Sequence, residues 1–207
     1  MIASQRIVVP HAGKTEIALN RMRNAAGIFS RNGASSVWIA RVQAGSDAGS
    51  FHLYNVFESL SHTAEVAVEL ETDPAWQALN MEIDAGPASD DRGPSIWRRV
   101  YGDTDDEDDD AVMQRSYVMP QSNIASALEL MPEIQKLLVD YNVRTQVWMP
   151  VVAADMTRIT VTYSSHDTAT LATFMDNVGT SSAFHEILSK ASTLGTLDRS
   201  SVLVTQR

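Results

Sequence analysis

Apolar positions along the chain switch between two periods, and the switches mark its elements. Arg6-Ile7-Val8-Val9 is a short β-rich run stopped by Pro10. From about Ala12 to Arg31 the period is helical: Leu19, Met22, Ala26 and Phe29 fall on one face, and Asn32-Gly33 reads as the stop. Val37 to Val42 and Phe51 to Phe57 then read as a hairpin around the loop 44–50. Ser61 to Leu70 is helical, and the helix restarts at Asp73-Pro74, with Asp73 suited to an N-cap and Pro74 to the first helical position. A loop holding Gly86, Pro87, Gly93 and Pro94 leads to a last strand, Ser95 to Tyr101. The predicted order is β-α-β-β-α-β.

The second half repeats that order. Ser116 to Met119 is a strand stopped by Pro120, and Ser122 to Tyr141 is helical with a kink or restart at Pro132. Thr145 to Val152 and Met156 to Tyr163 form a second hairpin, Asp167 to Ser192 a second helical region, and Ser200 to Thr205 the last strand. Pro10, Asn32 and Trp38 recur as Pro120, Asn142 and Trp148 at one offset of 110. After the hairpin the offset is 106: Leu53, Phe57 and Ser59 match Ile159, Tyr163 and Ser165. The expected organisation is therefore a tandem duplication, 1–101 and 111–207, joined by 102–110.

Composition changes this picture mainly at the joint. Gly102 to Asp110 reads GDTDDEDDD, seven acidic residues in nine, a solvated linker by its charge density. It lacks the glycine and terminal Glu of an EF-hand loop. The formal net charge is −10; without those seven, 19 acidic residues stand against 16 basic ones, so the acidity is local. No Lys/Arg stripe is available for phosphates, so nucleic acid is not an expected partner. There is no Cys, hence no disulfide, zinc thiolate or Cys nucleophile. No run of about 18 apolar residues occurs, so no membrane span is expected, and the expected location is the cytoplasm. No HExxH pair occurs, and Gly13-Lys14-Thr15 lacks the earlier glycine of a P-loop, so no metal site is expected.

A βαββαβ unit makes a four-stranded antiparallel sheet with its helices on one face. In Phe51 to Phe57 the odd residues Phe51, Leu53 and Phe57 face one way, and His52, Tyr54 and Val56 the other. Neither face is cleanly polar, which fits two sheets closing on each other.

The βαββαβ order, together with Thr72 to Leu79 (TDPAWQAL), resembles the dimeric α+β barrel superfamily, a ferredoxin-like fold that includes NIPSNAP-like and antibiotic-biosynthesis-monooxygenase-like proteins. Its motif is an Asp or Ser, a Pro or small residue, and an aromatic that packs the helix onto the sheet. Asp73, Pro74 and Trp76 fill it in the first half, and Ser181, Ser182 and Phe184 more weakly in the second. The resemblance implies an α+β fold: two fused ferredoxin-like units forming a pseudo-twofold barrel, closed within one chain or in a homodimer. It implies a small-molecule enzyme without metal or haem, a cofactor-independent monooxygenase or an isomerase or cyclase, acting on a hydrophobic, oxygen-bearing substrate. The alternative is a non-catalytic ligand-binding or assembly module of the same fold. Haem-degrading members carry an iron-binding His one turn after the helix aromatic, where this chain has Asn80 or a neighbour, and Leu188. No cofactor is therefore expected.

Within such a barrel, His52 and Tyr54 are the candidate catalytic pair, as an acid or base near neutral pH and a hydrogen-bond donor to a carbonyl. Arg158 and Thr160, their matches in the second half, are candidate substrate-binding residues, with Arg158 suited to an anion. Trp38 and Trp148 are candidate walls against a flat substrate, or core aromatics of the sheet interface.

Overall fold

The computed structural model describes residues 1–102 and 109–206. The elements run β1 (Ile2–Pro10), α1 (Thr15–Arg31), β2 (Ser36–Gly45), β3 (Phe51–Phe57), α2 (Leu60–Thr72), α3 (Pro74–Ala85) and β4 (Ser89–Tyr101). They continue with β5 (Ala111–Val118), α4 (Ile124–Glu129), α5 (Met131–Leu138), β6 (Arg144–Val152), β7 (Arg158–Ser165), α6 (Thr168–Asn177), α7 (Ser182–Ser192) and β8 (Thr196–Thr205). The eight strands close into one barrel in the order β1-β3-β2-β8-β5-β7-β6-β4, every ladder antiparallel. The expected α+β class and barrel are present, and the barrel closes within a single chain. Its two seams are β2–β8 and β4–β6. Between them stand the sets β4-β1-β3-β2 and β8-β5-β7-β6.

The period of two sorts side chains between the two sides of the barrel wall. Phe51, Leu53 and Phe57 leave the barrel to pack under α1–α3 with Leu19, Met22, Val66, Leu70 and Leu79. Ile159, Val161 and Tyr163 do the same under α5–α7 with Leu138, Phe174, Phe184 and Ile187. Inside, Ala40, Val42 and Leu203 form a small third cluster, with Trp38, Tyr54 and Val112 against it.

The helix signals act locally as expected. Asp73 accepts from the Ala75 and Trp76 amides at 2.7 and 3.2 Å, capping α3 behind Pro74. The same carboxylate takes Arg31 Nη2 and Asn32 Nδ2 at 2.9 and 2.8 Å, tying the end of α1 to the start of α3. These donors hold its pKa down at about 2. Ser181 caps α7 through the Phe184 amide at 3.2 Å, and Pro132 stands in the first turn of α5, where no amide donor is missed.

Some boundaries differ from the sequence reading. β4 starts at Ser89, through the stretch expected to be a loop. Gly93-Pro94 lies there in a bulge, since the β1–β4 register jumps between Gln5 and Ile7. Gly93 has φ +102°, and a Cβ on it would meet the Gln5 carbonyl at 2.8 Å, so the close approach requires glycine. β7 starts at Arg158 rather than Met156, because Asp155 turns the chain by accepting from the Thr157 amide at 2.9 Å. Most of the acidic joint, 103–108, lies outside the described residues, and the linker expected there goes with it. Asp109 and Asp110 continue into β5, with Asp110 O accepting from the Thr205 amide at 2.9 Å. No helix is long and apolar enough to cross a membrane, among the described residues.

Candidate functional site: a polar cluster beneath an aromatic-walled cavity

The barrel holds a cavity of about 930 Å³ that, among the described residues, opens at the end where β5 begins. Strand order and period two place its lining. Ala3 and Gln5 come from β1, Trp38 from β2, Tyr54 and Val56 from β3, and Trp97 from β4. The other side supplies Val112 and Gln114 from β5, Gln146 and Trp148 from β6, and Thr160, Thr162 and Ser164 from β7. Three tryptophans and a tyrosine thus wall a space whose polar groups are amides and hydroxyls, together with the charged side chains of Arg23, Asp109, Asp110 and Arg144. At the mouth, Arg144 pairs with Asp109 at 2.6 Å.

Trp38 and Tyr54 face each other across the β2–β3 ladder, and their rings stack with centroids 4.0 Å apart and planes 18° apart. Trp148 stands opposite Thr160 on β6–β7. Thr160 shares a 3.0 Å hydrogen bond with Ser116.

The wall hides a connected polar cluster. Trp97 donates its indole N–H to Gln5 Oε1 at 3.1 Å. An indole only donates, so the amide NH₂ of Gln5 is turned the other way. There it meets His52 Nδ1 at 3.2 Å and the Tyr54 hydroxyl at 3.0 Å. An NH₂ only donates, so Nδ1 accepts from Gln5 and the neutral ring carries its proton on Nε2; the Tyr54 hydroxyl lies 2.9 Å from the same Nδ1. The Tyr54 hydroxyl also lies 3.2 Å from Gln114 Oε1, which joins the cluster to the second half of the barrel.

Burial sets the protonation of this cluster. It pushes His52 down to about 4, with Arg92 adding to the effect and Asp47 opposing it. At neutral pH the imidazole is uncharged and able to accept a proton. Burial likewise pushes the Tyr54 phenol well above its ordinary value, so it stays protonated. His52 is only 4% exposed, and its Nε2 has no partner among the described residues.

The structure brings together His52, Tyr54 and Trp38, and places Trp148 and Thr160 across the same cavity. His52 sits behind Gln5 and Tyr54 rather than on the cavity surface. Arg158 is placed elsewhere: at the far end of the barrel it pairs with Asp198 and, at 3.1 Å, with Asp155. Sequence reasoning missed Gln5, Gln114 and Trp97. Gln5 and Gln114 lie just before the strands read from the sequence, Arg6 to Val9 and Ser116 to Met119, and face inward in regular register opposite Tyr54 and Thr162, whereas Trp97 follows bulges in the β1–β4 and β4–β6 ladders.

A haem does not fit this lining. No histidine lines the cavity among the described residues, and His185 is exposed on α7. Tyr54, the phenol on the wall, has its pKa raised and no cation beside its oxygen to favour a phenolate ligand.

No family model and no curated protein matches the sequence. Solved structures do match in fold. A protein of Fusobacterium nucleatum subsp. nucleatum, provisionally named a monooxygenase, superposes with a TM-score of 0.65 at 6% identity, over 100% of this chain and 92% of that one. An anthrone oxidase-like protein gives 0.64 at 10% identity, over 100% and 91%. A haem-degrading enzyme of Listeria monocytogenes gives 0.51 at 9%, over 97% and 99%. At these identities the likeness is one of fold: the chain shares the closed antiparallel α+β barrel of the monooxygenase-type proteins.

Proposed function

We propose that the protein is a haem-free, metal-free enzyme of the α+β barrel monooxygenase type that takes a flat, oxygen-bearing aromatic molecule into its barrel. We read the barrel as two copies of one ferredoxin-like unit, 1–101 and 111–207, joined by 102–110. The matching registers of Trp38 with Tyr54 and Trp148 with Thr160 support that reading. In it the first copy keeps the polar cluster, and the second has reduced it to Ser116 and Thr160.

The observation that carries the functional reading is the cavity's make-up. Trp38, Trp97 and Trp148 wall it, Tyr54 presents its phenol to it with the neutral His52 behind, and Arg99 faces the interior opposite Trp148 with a buried Nη1 that has no partner among the described residues. Aromatic walls suit a flat apolar molecule. The anthrone oxidase-like neighbour makes a tricyclic ketone a reasonable probe.

For such a substrate, the chain supplies a proton relay. An acidic C–H gives its proton to the Tyr54 oxygen as the Tyr54 proton passes to His52 Nδ1. The carbanion transfers one electron to dioxygen, and the resulting radical and superoxide combine as a peroxide. The relay returns the proton to the peroxide, and loss of water leaves a carbonyl. The net change is R₂CH₂ + O₂ → R₂C=O + H₂O. The substrate anion raises the basicity of His52 while both are present, which offsets the cost of charging a buried ring.

A second reading is favoured by the burial of His52: with no base on the cavity surface, the barrel binds such molecules without turning them over. Dioxygen consumption on incubation with an anthrone separates the two. Uptake that is lost in His52→Gln supports the enzyme. Tight binding without uptake supports the binding module, and no binding at all removes both.

A further inference from the structure

Charge on the inner wall of the barrel is not balanced. Of the charged groups that line the main cavity, Arg23 and Arg144 stand against Asp109 and Asp110, so their formal charges cancel. Arg99 is a further cation on the inward face. It lies opposite Trp148 across β4–β6 and two residues beyond Trp97 along β4, and its amide donates to the Met1 carbonyl at 3.2 Å. Met1, Trp97 and Trp148 all line the cavity, so Arg99 is flanked on three sides by residues that face that space. Arg98, of the other parity, turns outward opposite Met149 and is exposed.

The Arg99 guanidinium is left without an acceptor. Its Nη1 is buried and has no hydrogen-bond partner among the described residues. Asp109, an acid at the mouth, is taken by Arg144 at 2.6 Å. A guanidinium does not deprotonate in proteins, so burial cannot neutralise it, and a buried donor without an acceptor costs stability. An arginine kept there for structure alone would be paired with a carboxylate or with backbone carbonyls. Arg99 also stands apart from the proton relay. Ser95 lies opposite Gln5, the amide that holds Tyr54 and His52. Arg99 is four residues further along β4 toward the mouth, roughly 13 Å at the rise of a strand.

We propose that Arg99 is the carboxylate-binding end of the main cavity: the substrate is a flat aromatic acid whose carboxylate meets Arg99 on the mouth side, which points its other end at Tyr54. The proposal rests on the reading of the barrel as a cavity for flat aromatic molecules, and it narrows that class to acids. The planar fork of a guanidinium matches a carboxylate with two parallel hydrogen bonds, so it fixes orientation as well as charge. The rings of such a molecule lie among Trp97, Trp148 and Trp38, between the charged end and the relay. Binding supplies the acceptor that the chain itself does not.

The test is isothermal titration of the full chain at neutral pH with anthraquinone-2-carboxylate and with its methyl ester, which keeps the rings and removes the charge. The wild type should bind the acid at least about tenfold more tightly, the scale of a hydrogen bond to a charged group. Arg99→Gln should lose that preference and keep the ester affinity, and Arg99→Lys should retain part of it. Removing an unpaired buried charge should leave the thermal midpoint unchanged or raised, and Arg99→Met is the second variant should Arg99→Gln fail to fold. Equal binding of acid and ester by the wild type, or a preference that survives in Arg99→Gln, would overturn the proposal and leave the cavity reading standing. If neither molecule binds the wild type, the cavity reading fails and the assignment of Arg99 falls with it.

Discussion

Trp97 and Gln5 come from the two ends of the first half, 92 residues apart, and one 3.1 Å hydrogen bond between them decides where the proton of His52 sits. The indole fixes the amide, and the amide fixes the ring. Nitrogen-15 shifts of His52 should therefore report the Nε2–H form in the wild type. Trp97→Phe should give a mixture of tautomers, without loss of the fold. A wild type already mixed would mean that Gln5 does not hold the ring.

Acid should weaken the protein before its carboxylates titrate. The folded pKa of His52, about 4, lies below the unfolded value of 6.5. The folded state thus binds fewer protons than the unfolded one, and the contribution is complete above pH 6.5 and is lost as pH falls towards 4. Its size is on the order of 3 kcal/mol for a shift of this kind. The carboxyls with lowered values, among them Asp47, Asp73, Asp155 and Asp167, lose their contribution only below their ordinary value near 3.8. Urea midpoints at pH 7 and pH 4.5 should differ markedly for the wild type and much less for His52→Gln.

Much of this was legible in the sequence, and the parts that were not have separate physical causes. The inward pair His52 and Tyr54 follows from period two alone, because β3 is regular from Phe51 to Phe57. Trp38 and Trp148 were found through their common offset. Arg158 has the right parity but stands at the first residue of β7, and parity says nothing of height along the barrel axis. Gln5 lies just before the run Arg6 to Val9 and faces inward in regular register opposite Tyr54, whereas Trp97 follows bulges that shift the count along β4.

Arg158 belongs to a chain of ion pairs that spans the far end of the barrel. Arg92, Asp47, Arg199, Asp198, Arg158 and Asp155 alternate in charge along it. These pairs are partly exposed, so Arg158→Ala should cost no more than about 1 kcal/mol. It should leave ligand affinity in the main cavity unchanged. A large loss of affinity would place Arg158 at the binding site after all.

Core and cavity positions should separate cleanly in stability. Phe174 is fully buried between the helices and β7, and Phe174→Ala should cost about 3–5 kcal/mol in a denaturant titration. Trp148 lines open space, and Trp148→Ala should cost far less. Equal costs would mean that the barrel interior is packed solid.

The most direct test of the central claim is isothermal titration of the full chain with anthrone, on the wild type and on Trp38→Ala. Trp38 stacks on Tyr54 at 4.0 Å, and such a contact is worth about 0.5–1.5 kcal/mol beyond burial. The account predicts one molecule bound per chain and an affinity about tenfold weaker in Trp38→Ala, a change of about 1.4 kcal/mol. No saturable binding to the wild type, or identical binding by both proteins, would contradict it.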